Sequence, residues 1–253
     1  CAPVPVERDV RWLKSVLTWA TRTRLDSELV LRENPIRHYT PKKEENVKRP
    51  VATTDRYEAL MKVADRVFME IRWHGKREKR LSYFGELLTL AYHTGKRISA
   101  ICQLRYEDLR LKEGPFGSIR WPGDTDKEGK EWNAPLNAEA RKAIDAIMAD
   151  RPGVGQGCLF PSPMKPTKPV SRHLAKDWLL RAEDLASLDH LPQGGWHSYR
   201  RAWATMRKHL PDVDVAQAGG WKTVETLKLA YQHTDEATLI NVVMGGKELR
   251  EAK

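Results

Sequence analysis

No stretch of this 253-residue sequence approaches the roughly 20 consecutive apolar residues that a membrane-spanning helix requires, so no span is expected. The opening CAPVPVERDVRWLK has no apolar segment of the kind a secretory leader needs. Cysteine is scarce: Cys1, Cys102 and Cys158 are too few and too scattered for a disulfide framework or a metal knuckle, which points to a reducing, cytoplasmic setting. GxGxxG, Walker, HExxH and paired CxxC motifs are all missing, so dinucleotide, nucleotide and zinc chemistry have no warrant. Asp124-Thr125-Asp126-Lys127-Glu128-Gly129 imitates a calcium loop, but the twelfth position is Pro135 rather than a bidentate glutamate. The eight histidines form no close pair on a helical face, and neither a metal nor a cofactor is expected. Acid is the scarcer charge, 34 Asp and Glu against 44 Lys and Arg, and the resulting +10 favours a polyanionic partner, most simply nucleic acid.

Organisation follows from periodicity. Val10, Leu13, Val16, Leu17 and Ala20 recur at helical spacing within a segment from about Glu7 to Arg24. The polar stretch from Arg32 to Pro50, with Asn34-Pro35 and Arg49-Pro50, has no period and reads as a linker. The expected division is therefore a helical remnant at 1–35, a linker at 36–51 and a main domain at 52–253. The first part is too short for a whole domain and is expected to belong to a truncated module. Thr53 or Thr54 is positioned to cap a helix running through Tyr57, Leu60, Met61, Ala64 and Phe68. The run Lys76–Arg80 leads into a helix with Phe84, Leu87, Leu88 and Ala91 at core spacing, stopped at Gly95. A short helix carries Ile98, Ile101 and Cys102. Between Leu109 and Leu136 the period changes, and Ile119–Trp121 and Glu131–Ala134 are expected in a small hairpin or three-stranded sheet. Further helices are expected over 138–148, 171–185, 197–210, 213–218 and 223–231. The fold class is mainly α with a small antiparallel β-sheet (α+β).

Three clusters bear on chemistry. Thr94-Gly95-Lys96-Arg97-Ile98-Ser99 places an arginine at a helix start behind a glycine turn, where backbone N–H groups and a guanidinium make a phosphate cradle. In Trp196-His197-Ser198-Tyr199-Arg200, Tyr199, Trp203, Met206 and Leu210 share a core stripe. His197, Arg200, Ala204 and Arg207 form another stripe facing a different surface, with the imidazole and guanidinium one turn apart. Gly219-Gly220-Trp221 precedes Val224, Leu227 and Tyr231 at i, i+3 and i+7. Taken singly, Trp221 and Tyr231 read as ordinary packing.

Taken in order, these residues resemble the tyrosine recombinase, or phage-type integrase, family over Val51 to the C-terminus. Thr94–Ser99 is similar to the family's first arginine motif, and Leu104-Arg105-Tyr106-Glu107-Asp108-Leu109 to its continuation. Lys127-Glu128-Gly129-Lys130 followed by Ala134-Pro135-Leu136 resembles the hairpin lysine, with Lys127 at the catalytic spacing. His197-Ser198-Tyr199-Arg200 resembles the His-x-x-Arg box, Gly220-Trp221 the position filled by His or Trp, and Tyr231-Gln232-His233 the nucleophile box. Two departures stand out: Ala100 replaces a commonly acidic residue, and the Trp221–Tyr231 interval is one residue longer than usual. The segment from Asp9 to Pro35 resembles the last helix of the family's DNA-clamping domain.

The resemblance implies a DNA strand transferase that works without metal or ATP. Arg97 and Arg200 would present donor forks to the non-bridging phosphate oxygens. His197 would bond the phosphate or take the tyrosine proton, Lys127 would protonate the leaving 5′ oxygen, and Trp221 would donate its indole N–H. Tyr231 would form a 3′-phosphotyrosyl intermediate. A topoisomerase-like nicking-closing enzyme and a catalytically silent DNA-binding module stand as alternatives. Lys76, Arg77, Lys79, Arg80, Lys96, Lys130 and Arg201 are the candidate contacts to double-stranded DNA. The family further implies a homotetramer on paired DNA sites (a monomer in isolation), a nucleoid-associated setting in a prokaryote or phage, and a terminal segment, Asp235–Met244, that docks on a neighbour or on its own domain.

Overall fold

The computed structural model describes residues 3–40, 49–73, 76–123, 129, 131–233 and 236–243. Lys127 and Lys130 lie outside them, as do half of the expected linker and most of the calcium-loop imitation. The chain divides into two units between Lys48 and Arg49. In the first, α1 (Pro3–Ala20) is followed by a minimal hairpin, β1 (Arg24–Leu25) and β2 (Glu28–Leu29). Asp26 and Ser27 form its two-residue turn, both with positive φ, as a type I′ turn demands. The expected helix to Arg24 thus stops four residues early. Buried Asn34 donates to Lys14 O (3.1 Å) and Thr18 Oγ1 (2.9 Å) and pins the following segment to α1.

The second unit begins with α2 (Thr54–Met61), capped by Thr53 Oγ1, which accepts from Arg56 N at 3.2 Å. The helix does not continue to Phe68. A 3-10 turn at Ala64–Arg66 leads into an antiparallel ribbon of β3 (Phe68–Trp73) and β4 (Lys76–Leu81). The reason is local: Met69, Ile71 and Trp73 alternate with Glu70 and Arg72, a period of two that suits a half-buried strand. Lys76–Arg80 is accordingly a strand rather than a helical lead-in.

At the centre lies α3 (Phe84–Thr94), with Phe84, Leu87, Leu88, Leu90 and Ala91 almost wholly buried. It packs against α2, α4 (Ile98–Cys102), α5 (Ala138–Asp150), α6 (Arg172–Leu185) and α7 (Trp196–Met206). A helix apolar on nearly every side needs such a complete jacket. The expected three-stranded sheet is present, in order β5 (Leu109–Arg110), β6 (Ser118–Trp121), β7 (Trp132–Pro135), with Ile119 opposite Ala134 and Trp121 opposite Trp132. Fully buried Asp108 accepts from Arg105 N (3.0 Å) and Arg120 Nη2 (2.9 Å), tying the turn after α4 to β6. The remaining helices are α8 (Asp212–Gly219), α9 (Val224–Ala230) and α10 (Glu236–Val243). No helix among the described residues is long and apolar enough to cross a membrane.

Helix α7 ends at Met206, four residues short of expectation, and its stripes sort differently. Tyr199 and Trp203 are core, whereas Met206 (41% exposed) and Leu210 (44%) are not. The Arg200–Ala204 stripe does not face outward: both residues are buried.

Candidate active site

The turn between α3 and α4 sets the site. Gly95 closes α3 with φ +64°, and an added Cβ would meet the Trp203 ring at 2.5 Å, so only glycine fits. Lys96 follows, and Arg97 occupies the N-cap of α4. From α7, Arg200 reaches the same turn. Its Nη1 donates to Gly95 O and to Gly219 O (2.7 Å), and Nη2 lies 3.4 Å from Gly220 O. Arg97 and Arg200 line one cleft with Lys96, Ala100, Trp121, Trp132 and the Gly219-Gly220 turn.

Tyr231 and Trp221 meet at the other side of Arg200. The guanidinium carbon is 3.7 Å from the Trp221 ring centre and 5.1 Å from that of Tyr231. Tyr231 meets Trp221 edge-on at 5.0 Å, and Trp203 stacks on Trp221 at 5.8 Å. Two bonds hold the backbone of Tyr231: its N–H donates to Leu227 O (3.1 Å), and its carbonyl accepts from Thr205 Oγ1 (3.2 Å). Thr205 Oγ1 also accepts from His233 N, which fixes the residue next but one. The Trp221 Nε1–H is buried and has no hydrogen-bond partner among the described residues. Such an orphan costs about 1–3 kcal/mol.

His197 opens onto solvent at the start of α7, one turn before Arg200. Its pKa is lowered, first by desolvation among its neighbours, then by the positive charges of Arg201, Arg200, Arg97 and Arg49. The imidazole is therefore neutral near pH 7 and able to accept a proton. The same cations make this end of the molecule a strong anion attractor.

Five of the six expected catalytic residues, Arg97, His197, Arg200, Trp221 and Tyr231, are thus neighbours in space, although 134 positions separate the first and last in sequence; Lys127 lies outside the described residues. Arg200 differs from expectation in one respect, because its terminal nitrogens already serve backbone carbonyls. Among the expected DNA contacts, Arg201 is an internal tether: it is 4% exposed and donates to Pro50 O at 2.9 Å. Lys96 is likewise 6% exposed and part of the cleft wall, not a surface cation. Lys76, Arg77, Lys79 and Arg80 are exposed on β4, which precedes the start of α3, whereas the cleft forms after its end. The sequence reading overlooked Trp121 and Trp132 as cleft residues. Their position at the facing ends of β6 and β7, on either side of the Lys127 segment, was the available signal. Among the described residues no group of three or more His, Cys, Asp or Glu side chains is placed to hold a metal.

The helical jacket around α3, the three-stranded sheet and the arginine-rich cleft together define the fold of tyrosine recombinase catalytic domains. Similar solved structures include XerH site-specific recombinase bound to palindromic difH substrate, with a TM-score of 0.66 and 19% identity over 90% of this chain. A lambda integrase dimer bound to a COC' core site matches with TM-score 0.66 and 16% identity over 91%. Tn1549 transposon integrase in complex with a circular intermediate DNA matches with TM-score 0.64 and 14% identity over 96%. The present chain covers 61%, 61% and 79% of those chains respectively. A comparison with curated proteins gave no significant match. The phage integrase family pattern matches residues 50–238, and the chain belongs to that family.

Proposed function

We propose that the chain is the strand-transferring part of a site-specific DNA recombinase or integrase, with Tyr231 as nucleophile. The observation that carries the reading is the gathering of four residues around Arg200: Arg97 beside it in the cleft, Trp221 and Tyr231 against its guanidinium, and His197 within reach of its charge. In the proposed reaction Tyr231 Oη attacks the scissile phosphorus, a P–O(Tyr) bond forms and the P–O5′ bond breaks. The phenol proton passes to neutral His197, and O5′ takes a proton from Lys127. Arg97, half-buried at the cleft rim, binds a non-bridging oxygen directly. Arg200 contributes a fixed charge beneath the phosphate, pre-organised by three carbonyls, so no side-chain entropy is lost when charge develops. The orphan Trp221 N–H gains an acceptor. Rejoining reverses these steps, and the phosphotyrosyl bond retains the energy of the original diester, so no ATP or metal is needed.

Double-stranded DNA is the proposed substrate, with Lys76, Arg77, Lys79 and Arg80 engaging backbone phosphates away from the scissile one. Glu70, 3.7 Å from Arg77, and Glu78, 3.1 Å from Arg80, offset part of that charge. In the working assembly four chains would act on two sites, and α10 offers exposed Leu239, Ile240, Val242 and Val243 to a neighbour. The test is to incubate the chain at low salt with a pool of randomised nicked duplexes and collect denaturation-resistant protein–DNA adducts. Wild type should yield adducts whose sequences define a cleavage site, and Tyr231→Phe should yield none. Binding without any adduct from wild type would overturn the enzymatic reading.

A further inference from the structure

Lys96 is a site cation set among aromatic rings. Its ammonium lies 5.3 Å from the Trp121 ring centre and 5.9 Å from that of Trp132, and only 6% of the residue is exposed. These two tryptophans face each other across the last rung of β6 and β7, on either side of the segment that contains Lys127. On its other flank Nζ fills the space above Gly220, where an added Cβ would stand 2.9 Å away. Lys96 therefore touches three separate pieces of the site: the turn that presents Arg97, the end of the β6–β7 hairpin, and the turn that leads to Trp221 and Tyr231. Arg200 joins the first and third of these through Gly95 O and Gly219 O, but among the described residues it is Lys96 whose side chain adds the hairpin. An ammonium over ring faces is attracted to them by about 0.5–2 kcal/mol, which an apolar side chain in its place would not supply.

We propose that Lys96 is a positioning residue that seats the Trp121–Trp132 end of the hairpin against the cleft, and thereby sets where the hairpin delivers its proton to the leaving oxygen. The inference rests on the proposed role of Lys127. Loss of the ammonium lets the hairpin end drift, and misplacement by about 1 Å of a group at the chemistry costs on the order of 10²-fold in rate.

The test uses the full chain and the cleavage site recovered from the adduct pool, made once as ordinary nicked DNA and once with sulfur replacing the 5′ bridging oxygen. A thiolate leaves without needing a proton. Lys96→Met should form adduct about 100-fold more slowly than wild type on the ordinary diester, and within about threefold of wild type on the sulfur substrate. Lys96→Arg should stay close to wild type on both. Trp132→Leu, which removes one ring and keeps the ammonium, should reproduce the sulfur rescue should Lys96→Met fail to fold. Equal losses on the two substrates, or no loss on the ordinary one, overturn the proposal. Lys127→Ala provides the separation: if it is not rescued by sulfur, the role of Lys127 itself falls; if it is rescued while Lys96→Met is not, only the present inference falls. Independently of DNA, amide exchange over 118–121 and 132–135 should quicken in Lys96→Met while α3 and α5 stay protected, and unchanged exchange there counts against the seating.

Discussion

Replacing Gly95 with alanine places a methyl group where two requirements meet. The backbone at this C-cap has φ +64°, a left-handed conformation that costs a residue with a Cβ about 1–2 kcal/mol. The new methyl would also sit 2.5 Å from the Trp203 ring, whose indole N–H is held by His93 O at 3.0 Å and whose face lies against Trp221. The ring cannot yield without disturbing both, and overpacking of this kind costs a further ~1–3 kcal/mol. Gly155 supplies the control: its φ is +57°, but an added Cβ there meets nothing within 4 Å. Gly155→Ala should therefore show only the backbone cost, and Gly95→Ala about 2–5 kcal/mol in all, equivalent to a Tm drop on the order of 10 °C for a unit of this size. Urea unfolding of the two variants measures the difference. Because Gly95 O is also an acceptor for Arg200, Gly95→Ala should slow adduct formation by on the order of 10²-fold beyond its effect on folding. Equal destabilisation by the two substitutions, within about 0.5 kcal/mol, would refute the claim that the Trp203 ring makes this glycine obligatory.

Three other outcomes are expected. Asp108→Ala removes the buried carboxylate that joins Arg105 N to Arg120 and should destabilise the unit by about 3 kcal/mol in urea unfolding, with β6 losing amide protection first. Because the folded pKa of His197 is lowered, the neutral imidazole favours the fold above the unfolded value of about 6.5, and that contribution is lost as pH falls below it. His197→Gln should accordingly flatten the stability–pH curve between pH 7 and 5, and in wild type adduct formation should fall over the same interval. Converting Lys76, Arg77, Lys79 and Arg80 together to glutamine should reduce the slope of log binding constant against log salt by about 0.9 for each phosphate no longer neutralised, measured by fluorescence anisotropy on duplex DNA; an unchanged slope would remove β4 from the DNA interface.

Much of the molecule was legible in the residues because the signals were local. The glycine stop of α3, the Thr53 cap and the change of period before β6 each depend on a few adjacent positions. The β3–β4 ribbon was missed because Tyr57, Leu60, Met61, Ala64 and Phe68 fit a helical period, and that longer pattern hid the alternation of Met69, Ile71 and Trp73. The fate of Arg201 could not be read from charge: a guanidinium immediately after Arg200 looks suited to phosphate, and only the approach of Pro50 from a distant part of the chain occupies it. Lys96 was hidden likewise, since its surroundings come from strands more than twenty positions away. Order along the chain indicated which of the described residues come together around Arg200. What each one touches, including the carbonyls that hold Arg200, is set by the close approach of the Gly95 and Gly219 turns, which no single segment encodes.

The central claim is that Tyr231 becomes joined to DNA. The direct measurement is to digest the wild-type adduct with protease and nuclease and identify the modified peptide by mass spectrometry. The peptide containing Tyr231 is expected to carry a nucleotide through its 3′ phosphate. A nucleotide on any other residue, or an adduct that persists in Tyr231→Phe, would contradict it.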